Sequence, residues 1–255
     1  MSNGVRFQAL PNIPEITCGD NLSAIIGAAL AEAGLTLTET SIVVVAQKIV
    51  SKAEGRLVNL TSVSPSPRAR ELAKITGKDP RMVELVLSES SAVLRAVPGV
   101  MIVRHRLGYV MANAGIDQSN LPGNEQSDQA LLLPLNPTAS ARELHSGLAV
   151  GHGPRPGIII SDSFGRPWRN GAVNIALASA GIPALIDQRN GKDRHGRVLQ
   201  HTLVAFADAV AAGAGLVMGE AGEGTPVALV DGLRPSAPLV DATALLRPAE
   251  SDLFQ

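Results

Sequence analysis

Two short runs of β-branched residues, Ser41–Ala46 and Ile158–Ile160, constrain this chain more than any other feature. Such runs suit the pleated, buried surface of a sheet, so the fold must contain one. Helix signals of a local kind surround them. Leu22, Ile25, Ile26, Ala29, Leu30 and Ala33 recur at helical spacing, with Asp20 as the expected cap and Gly34 as the stop. A loop holding Pro65 and Pro67 leads into a helix expected to end near Gly77. Asp79-Pro80 and Asn136-Pro137 each pair a capping side chain with a first-turn proline. They predict two further helices, the second running toward Leu148.

Val100–His105 and Tyr109–Asn113 read as a hairpin turning at Leu107-Gly108, and Val227–Val230 as a last strand. Asn174–Ala180 reads as a helix, and Thr202–Phe206 leads into the apolar stretch Leu203–Met218. That stretch is rich in Ala and Gly and contains Asp208, which suits a buried helix and not a membrane span. Leu121–Asp128 is polar and expected to be a surface loop. Gly151–Gly157, with two prolines and three glycines, is the best-marked internal boundary. Residues 1–233 otherwise read as a single unit, and 234–255 as a Pro-containing, loosely ordered tail. Irregular alternation with a hairpin predicts a mixed-sheet α+β fold, not a doubly wound one.

The formal net charge of -1 leaves no long-range field to gather nucleic acid or an anionic membrane, so neither is expected as a partner. Any phosphate binding must come from local groups. Cys18 is the sole cysteine, which rules out an intrachain disulfide and reads as a small buried thiol in a reducing compartment. With no signal-peptide core in Met1–Leu10, a cytoplasmic location is expected. Aromatics make up only 2% of the chain, so the placing of Phe164 and the single Trp168 around Gly165-Arg166-Pro167 is informative. Both rings are expected to anchor a loop in an apolar pocket, with substrate stacking as the alternative.

Several nucleotide and catalytic signatures are missing. No Gly-Lys precedes Ser or Thr, so there is no Walker P-loop. Gly213, Gly215 and Gly219 lack dinucleotide spacing, the five histidines have no zinc spacing, and no Gly-x-Ser-x-Gly elbow occurs.

Four polar clusters carry what chemistry there is. In Gln47–Arg56, a helical turn would put Lys48, Ser51 and Lys52 on one face toward a polyphosphate, unless the turn is merely solvated. In Ala112–Asn120, Asp117 and Asn120 could face one ligand, or the segment could be a tight turn bonding its own backbone. Ile160–Gly171 is the strongest: Asp162 and Ser163 end an apolar strand as a magnesium-type oxygen site would, and Arg166 and Arg169 can fork onto phosphate or carboxylate oxygens. Met218–Thr225 sets Glu220 and Glu223 among glycines, which suits metal coordination beside phosphate-binding amides or a plain surface loop. The basic loop Arg189–Arg197 is either an anion grip or solvated.

Taken together, Val50–Arg56, Ala112–Asn120, Ser161–Gly171 and Gly219–Gly224 resemble the motifs of the coenzyme F-420:L-glutamate ligase family, and Ile13–Ile16 resembles its N-terminal motif. The resemblance runs in order from Ile13 to Leu233. It implies a GTP-dependent ligase adding L-glutamate to the carboxylate of a deazaflavin coenzyme precursor, then γ-linked glutamates. It also implies an intertwined homodimer of α+β type that uses Mn²⁺ or Mg²⁺, with K⁺ as activator.

By that resemblance Asp117, Asp162, Ser163 and Glu220 match metal ligands. Ile13, Pro14, Glu15, Ile16, Gln47, Lys52 and Asn120 match GTP contacts, with Met218, Gly219, Glu220, Ala221, Gly222, Glu223, Gly224 and Thr225. Asp117, Asp162, Glu220, Arg166 and Arg169 form the expected catalytic set. Two positions depart from the family pattern: Gly222 stands where Asp is frequent, and Arg194-His195 replaces a Leu-aromatic pair. No fused flavin reductase domain is expected. Two other readings remain open at this point, a metal-dependent phosphotransferase or ligase acting on another carboxylate, and a non-catalytic nucleotide-binding regulator.

Overall fold

A computed structural model describes residues 4–119, 128–149 and 153–252 of the chain. Asn120 and most of the expected Leu121–Asp128 loop lie outside the described residues, as do Gly151 and His152. In chain order the elements are β1 (Arg6–Ala9), α1 (Leu22–Glu32), β2 (Ile42–Ala46), α2 (Gln47–Ala53), β3 (Leu57–Asn59), α3 (Pro67–Thr76) and α4 (Pro80–Ser88). Then follow β4 (Ser90–Val97), β5 (Val100–His105), β6 (Val110–Ala112), β7 (Gln129–Leu131), α5 (Pro137–Gly147), β8 (Gly157–Arg166) and β9 (Arg169–Ala180). The last are β10 (Leu185–Asp187), β11 (Leu203–Ala205), α6 (Phe206–Met218) and β12 (Val227–Asp231).

The main sheet has the order β1-β12-β2-β8-β9. Only β2 and β8 pair in parallel; the other neighbours are antiparallel. The β-branched runs lie at its centre, and alternation sends their side chains to two separate cores. Val43, Val45, Ile158 and Ile160 pack under α1, α2 and α5. Ile42, Val44 and Ile159 pack on the other face against α6. Helices cover both faces, so a polar residue on either side of these strands would be buried without a partner. That is why the runs are unbroken.

A second layer holds the three-stranded sheet β4-β5-β6, backed by α3 and α4 through Leu72, Val83, Val86, Met101 and Val103. Polar bonds tie it to the main body. Tyr109 Oη donates to Leu177 O at 2.5 Å, and Arg56 Nε donates to Leu133 O at 2.9 Å. Glu89 Oε2 meets Arg56 Nη2 at 2.9 Å and Arg106 Nε at 3.0 Å. His105 Nδ1 accepts from Leu107 N, which leaves its proton on Nε2, 3.4 Å from the same carboxylate. Burial works against the Glu89 charge, but these partners outweigh it and hold the carboxyl at about 2. The fold is mixed α+β, and among the described residues it lacks the succession of parallel strands that a doubly wound nucleotide fold requires.

The helices predicted from Asp79-Pro80 and Asn136-Pro137 form with Asp79 and Asn136 as caps; the helix expected after the Pro65 and Pro67 loop is capped by Ser66, and Gly77 ends it in the left-handed conformation. Five expectations need correction. Asn21, not Asp20, caps α1 through Ala24 N, because Asp20 accepts instead from Thr17 N at 2.7 Å. Asn174–Ala180 is strand, not helix: it pairs along β8, and Asp208 Oδ1 accepts from Ala176 N at a bulge. Trp168 is not sunk in a pocket but 88% exposed, although Phe164 does pack edge-on against Tyr109. Cys18 is exposed. The chain from Arg234 to Asp252 is attached to the body: Ala184 N donates to Val240 O, and Ala242 is buried beneath α6. Among the described residues no helix is long and apolar enough to cross a membrane.

Candidate functional site

The main sheet ends where Ala46 N donates to Pro226 O, but the β8–β9 hairpin runs on past it. That step opens a cleft of about 730 Å³. Its walls are Ile13 and Glu15 from the N-terminal segment, Gln47, Lys48 and Lys52 from α2, Asp117 and Ser119 after β6, Ser161–Ser163 and Asn174 from the hairpin, and Met218–Pro226 after α6. Four stretches singled out in the sequence thus meet in one space with the N-terminal motif.

Each wall is shaped by its own sequence. Asn113, Ala114 and Gly115 all take positive φ, and a Cβ on Gly115 would stand 2.5 Å from Met111 Cε. Asn113 Oδ1 accepts from Met101 N, and Asp117 exchanges backbone bonds with Leu131. This tight turn delivers Asp117 to the cleft, where it accepts from Ser119 N at 2.7 Å and meets Lys48 Nζ at 2.5 Å. Burial works against the Asp117 charge, but Lys48 and Ser119 outweigh it and hold the carboxyl below its usual range. The tight turn expected of that motif is present, and it places Asp117 on the cleft wall.

On α2, Lys48 and Lys52 reach the cleft, but Ser51 does not face a ligand as expected. It is fully buried, with its hydroxyl donating to Gln47 Oε1 at 2.9 Å. Lys52 Nζ meets Glu15 Oε1 at 2.6 Å, closing the N-terminal segment onto the helix. Glu54 and Arg56 of the same motif are structural: Glu54 accepts from Leu135 N and Ser140 Oγ, and Arg56 joins the Glu89 network.

Asp162 lies in the cleft with its carboxyl pushed up to about 7, foremost by burial. The Asp117 charge adds to the rise, while Ser163 N, Lys48 and Gln47 oppose it. Glu220 Oε1 accepts from Asn174 Nδ2 at 2.7 Å. Asn174 carries a cleft role that the sequence reading missed, because its stretch was read as a helix. Gly215 makes room for it, since a Cβ there would sit 2.4 Å from Asn174 Nδ2.

Within the glycine loop, Glu223 turns back to accept from Ala221 N at 2.8 Å, so its carboxyl serves the loop itself. Gly219 (φ 77) permits this, since a Cβ there would lie 2.3 Å from Glu223 Cδ. Thr225 Oγ1 closes the loop onto Met218 O at 2.7 Å.

Among the described residues no three His, Cys, Asp or Glu side chains are drawn together as a metal cage. Asp117 is held by Lys48 and Glu220 by Asn174. The donor chemistry still fits a hard divalent cation. Asp117, Asp162, Ser163 and Glu220 offer only oxygen, and burial and the neighbouring acid drive Asp162 toward neutrality, which a cation would reverse. Ser161, which also lines the cleft, adds a buried hydroxyl that has no hydrogen-bond partner among the described residues. Arg166 and Arg169 are not among the lining residues; they stand at the exposed tip of the hairpin. The loop Arg189–Arg197 is exposed, and Arg189 is paired with Asp187 at 2.6 Å.

Comparison with known proteins agrees with this assembly of motifs. The family model described as F420-0:Gamma-glutamyl ligase matches residues 11–232. A protein named coenzyme F420:L-glutamate ligase from Methanopyrus kandleri is 40% identical over 98% of both chains. One of the same name from Methanothermobacter thermautotrophicus is 40% identical over 99% of both. Another, from Halobacterium salinarum, is 42% identical over 87% of this chain and 85% of its own. The matched span takes in every wall of the cleft, and the chain belongs to the F420-0:gamma-glutamyl ligase family.

Proposed function

We propose that this chain joins L-glutamate to the side-chain carboxylate of a coenzyme F-420 precursor and then adds γ-linked glutamates, converting GTP to GDP and phosphate. The observation that carries the reading is the convergence of the family's scattered motifs on a single cleft holding paired lysines and oxygen donors. The same reading includes a homodimer and activation by K⁺.

A carboxylate is a poor acyl donor. In the proposed reaction its oxygen attacks the γ-phosphorus of GTP, GDP leaves, and an acyl phosphate results. The glutamate amine then attacks the acyl carbon, phosphate departs with the transferred oxygen, and the amine loses a proton. Lys48 and Lys52 offset phosphate charge from the α2 side once their acidic partners exchange them for the nucleotide. The Ile13–Ile16 segment and the Met218–Thr225 loop border the nucleotide, with backbone amides of the loop donating to its oxygens. Asp117, Asp162, Ser163 and Glu220 would hold Mn²⁺ or Mg²⁺, which supplies charge neutralisation for phosphoryl transfer. A closed cleft excludes water that would hydrolyse the acyl phosphate.

A heavy-oxygen label in the precursor carboxylate tests the route. Label is expected in the released phosphate together with a one-glutamate gain in product mass. Full amide yield with unlabelled phosphate would refute the acyl phosphate. GTP turnover independent of precursor and glutamate would refute the ligase reading.

A further inference from the structure

The amide of Asn174 is enclosed where an apolar side chain would suit the surroundings better. Ala176, two residues on along the same face of β9, shares a core with Ala211, Ala214 and Met218. Asn174 itself is only 9% exposed, so its amide has left water and needs a bond in exchange. That bond goes to Glu220: Asn174 Nδ2 donates to Glu220 Oε1 at 2.7 Å. Gly215 of α6 clears the space, since a Cβ there would stand 2.4 Å from Nδ2. Glycine inside a helix is disfavoured against alanine, so α6 forgoes some stability for this contact.

Asn174 also stands beside a second oxygen donor of the cleft. In the β8–β9 register it lies directly opposite Ser163, and opposed residues of an antiparallel pair share a face. One buried amide therefore adjoins Ser163 on the hairpin and bonds Glu220 in the loop after α6. Glu220 follows Gly219, which has φ 77, and Gly222 and Gly224 come soon after it. A carboxylate on so glycine-rich a loop gains little orientation from its own backbone. A bond to one of its oxygens supplies that orientation. Asn174 is buried within one chain, so the bond does not depend on which surfaces a second copy covers.

We infer that Asn174 is a positioning residue of the divalent-cation site. Its amide holds Oε1 of Glu220 and turns the carboxylate so that Oε2 is presented to the cation alongside Ser163. Asn174 acts through Glu220 and does not itself touch the metal. This rests on the metal part of the ligase reading above. Side chains that orient a metal ligand in this way commonly govern metal affinity by about tenfold to a hundredfold.

Titration calorimetry of Mn²⁺ into the full chain, without nucleotide, reads this role independently of turnover. Asn174→Ala is expected to weaken Mn²⁺ binding roughly tenfold or more. Asn174→Leu fills much the same space without a donor and is expected to be equally impaired. Turnover of both should fall at limiting Mn²⁺ and return at saturating Mn²⁺, a rise in metal KM with kcat largely kept. Unchanged Mn²⁺ affinity in Asn174→Ala would overturn the positioning role. Full affinity in Asn174→Leu would overturn it in favour of packing alone, and so would a loss of turnover that saturating Mn²⁺ leaves in place. An unaltered protein that binds no Mn²⁺ would refute the metal reading itself, and this role with it.

Discussion

Lys52 Nζ lies 2.6 Å from Glu15 Oε1, so a helix and the N-terminal segment are joined by one ion pair at the wall of the cleft. Both partners line that cleft, and both fall on positions matched to nucleotide contacts by resemblance. Lys52→Ala removes a cation from the phosphate side of the proposed site. GTP binding measured by titration calorimetry is expected to weaken roughly tenfold, with the glutamate KM within about twofold of the unaltered value. Unchanged GTP affinity would assign the lysine a purely structural part.

Asp162 makes a prediction about pH. Its folded-state carboxyl titrates at about 7 against 3.8 ordinarily, so between these values the folded protein holds a proton the unfolded chain has released. Metal-free stability should therefore decline as pH rises from about 4 to 7 and then level off, by roughly 1–3 kcal/mol from this group. Asp162→Asn should abolish that slope while lowering divalent-cation affinity and turnover. Urea midpoints across pH in chelator, for both proteins, check the first part. Full turnover of the variant at limiting Mn²⁺ would remove Asp162 from the ligand set.

Glu89 titrates the opposite way. Held at about 2, it contributes stability that is fully present above 4.5 and lost as pH falls from there through 2. Glu89→Gln leaves Arg56, Arg106 and His105 facing a neutral amide in a buried junction. A loss of about 2–4 kcal/mol in unfolding free energy is expected at neutral pH, narrowing in acid. Equal denaturant midpoints at neutral pH would show that this junction contributes nothing.

Gly219→Ala meets two obstacles at once, a positive φ and the Glu223 carboxyl 2.3 Å from the new methyl carbon. The loop must open, at a cost of about 1–3 kcal/mol. GTP affinity should fall with little change in the far junction at Glu89. Titration calorimetry with GTP checks the fall, and an affinity equal to that of the unaltered protein would clear the loop of that role.

Local signals were legible because their physics is local. A capping oxygen and a first-turn proline act within one helical turn, so Asp79 and Asn136 could be read as helix starts directly. The one-residue shift from Asp20 to Asn21 shows the limit: either side chain can cap, and a competing bond from Thr17 N decided it. β9 failed for a different reason. Asn174–Ala180 is covered by helices on both sides, so it has no polar face to reveal a period of two, and its alanines favour helix. β4, at Ser90–Val97, passed unnoticed because none of its residues is fully buried and its strand character comes from pairing with β5.

By itself the sequence determined that a buried sheet exists, where most helices begin, and which clusters carry oxygen donors and cations. Those are consequences of side-chain type and of spacing along the chain. Only the tertiary structure decided that Glu15, Lys52, Asp117, Asp162 and Glu220 share one cleft, and that Asn174 holds Glu220 there. It also decided that Ser51 turns inward while Trp168 turns out. The reason is that burial and pairing depend on neighbours brought from distant parts of the chain. Ser51 is buried because its helix packs on the sheet, and Trp168 is exposed because β8 and β9 run past the sheet's end.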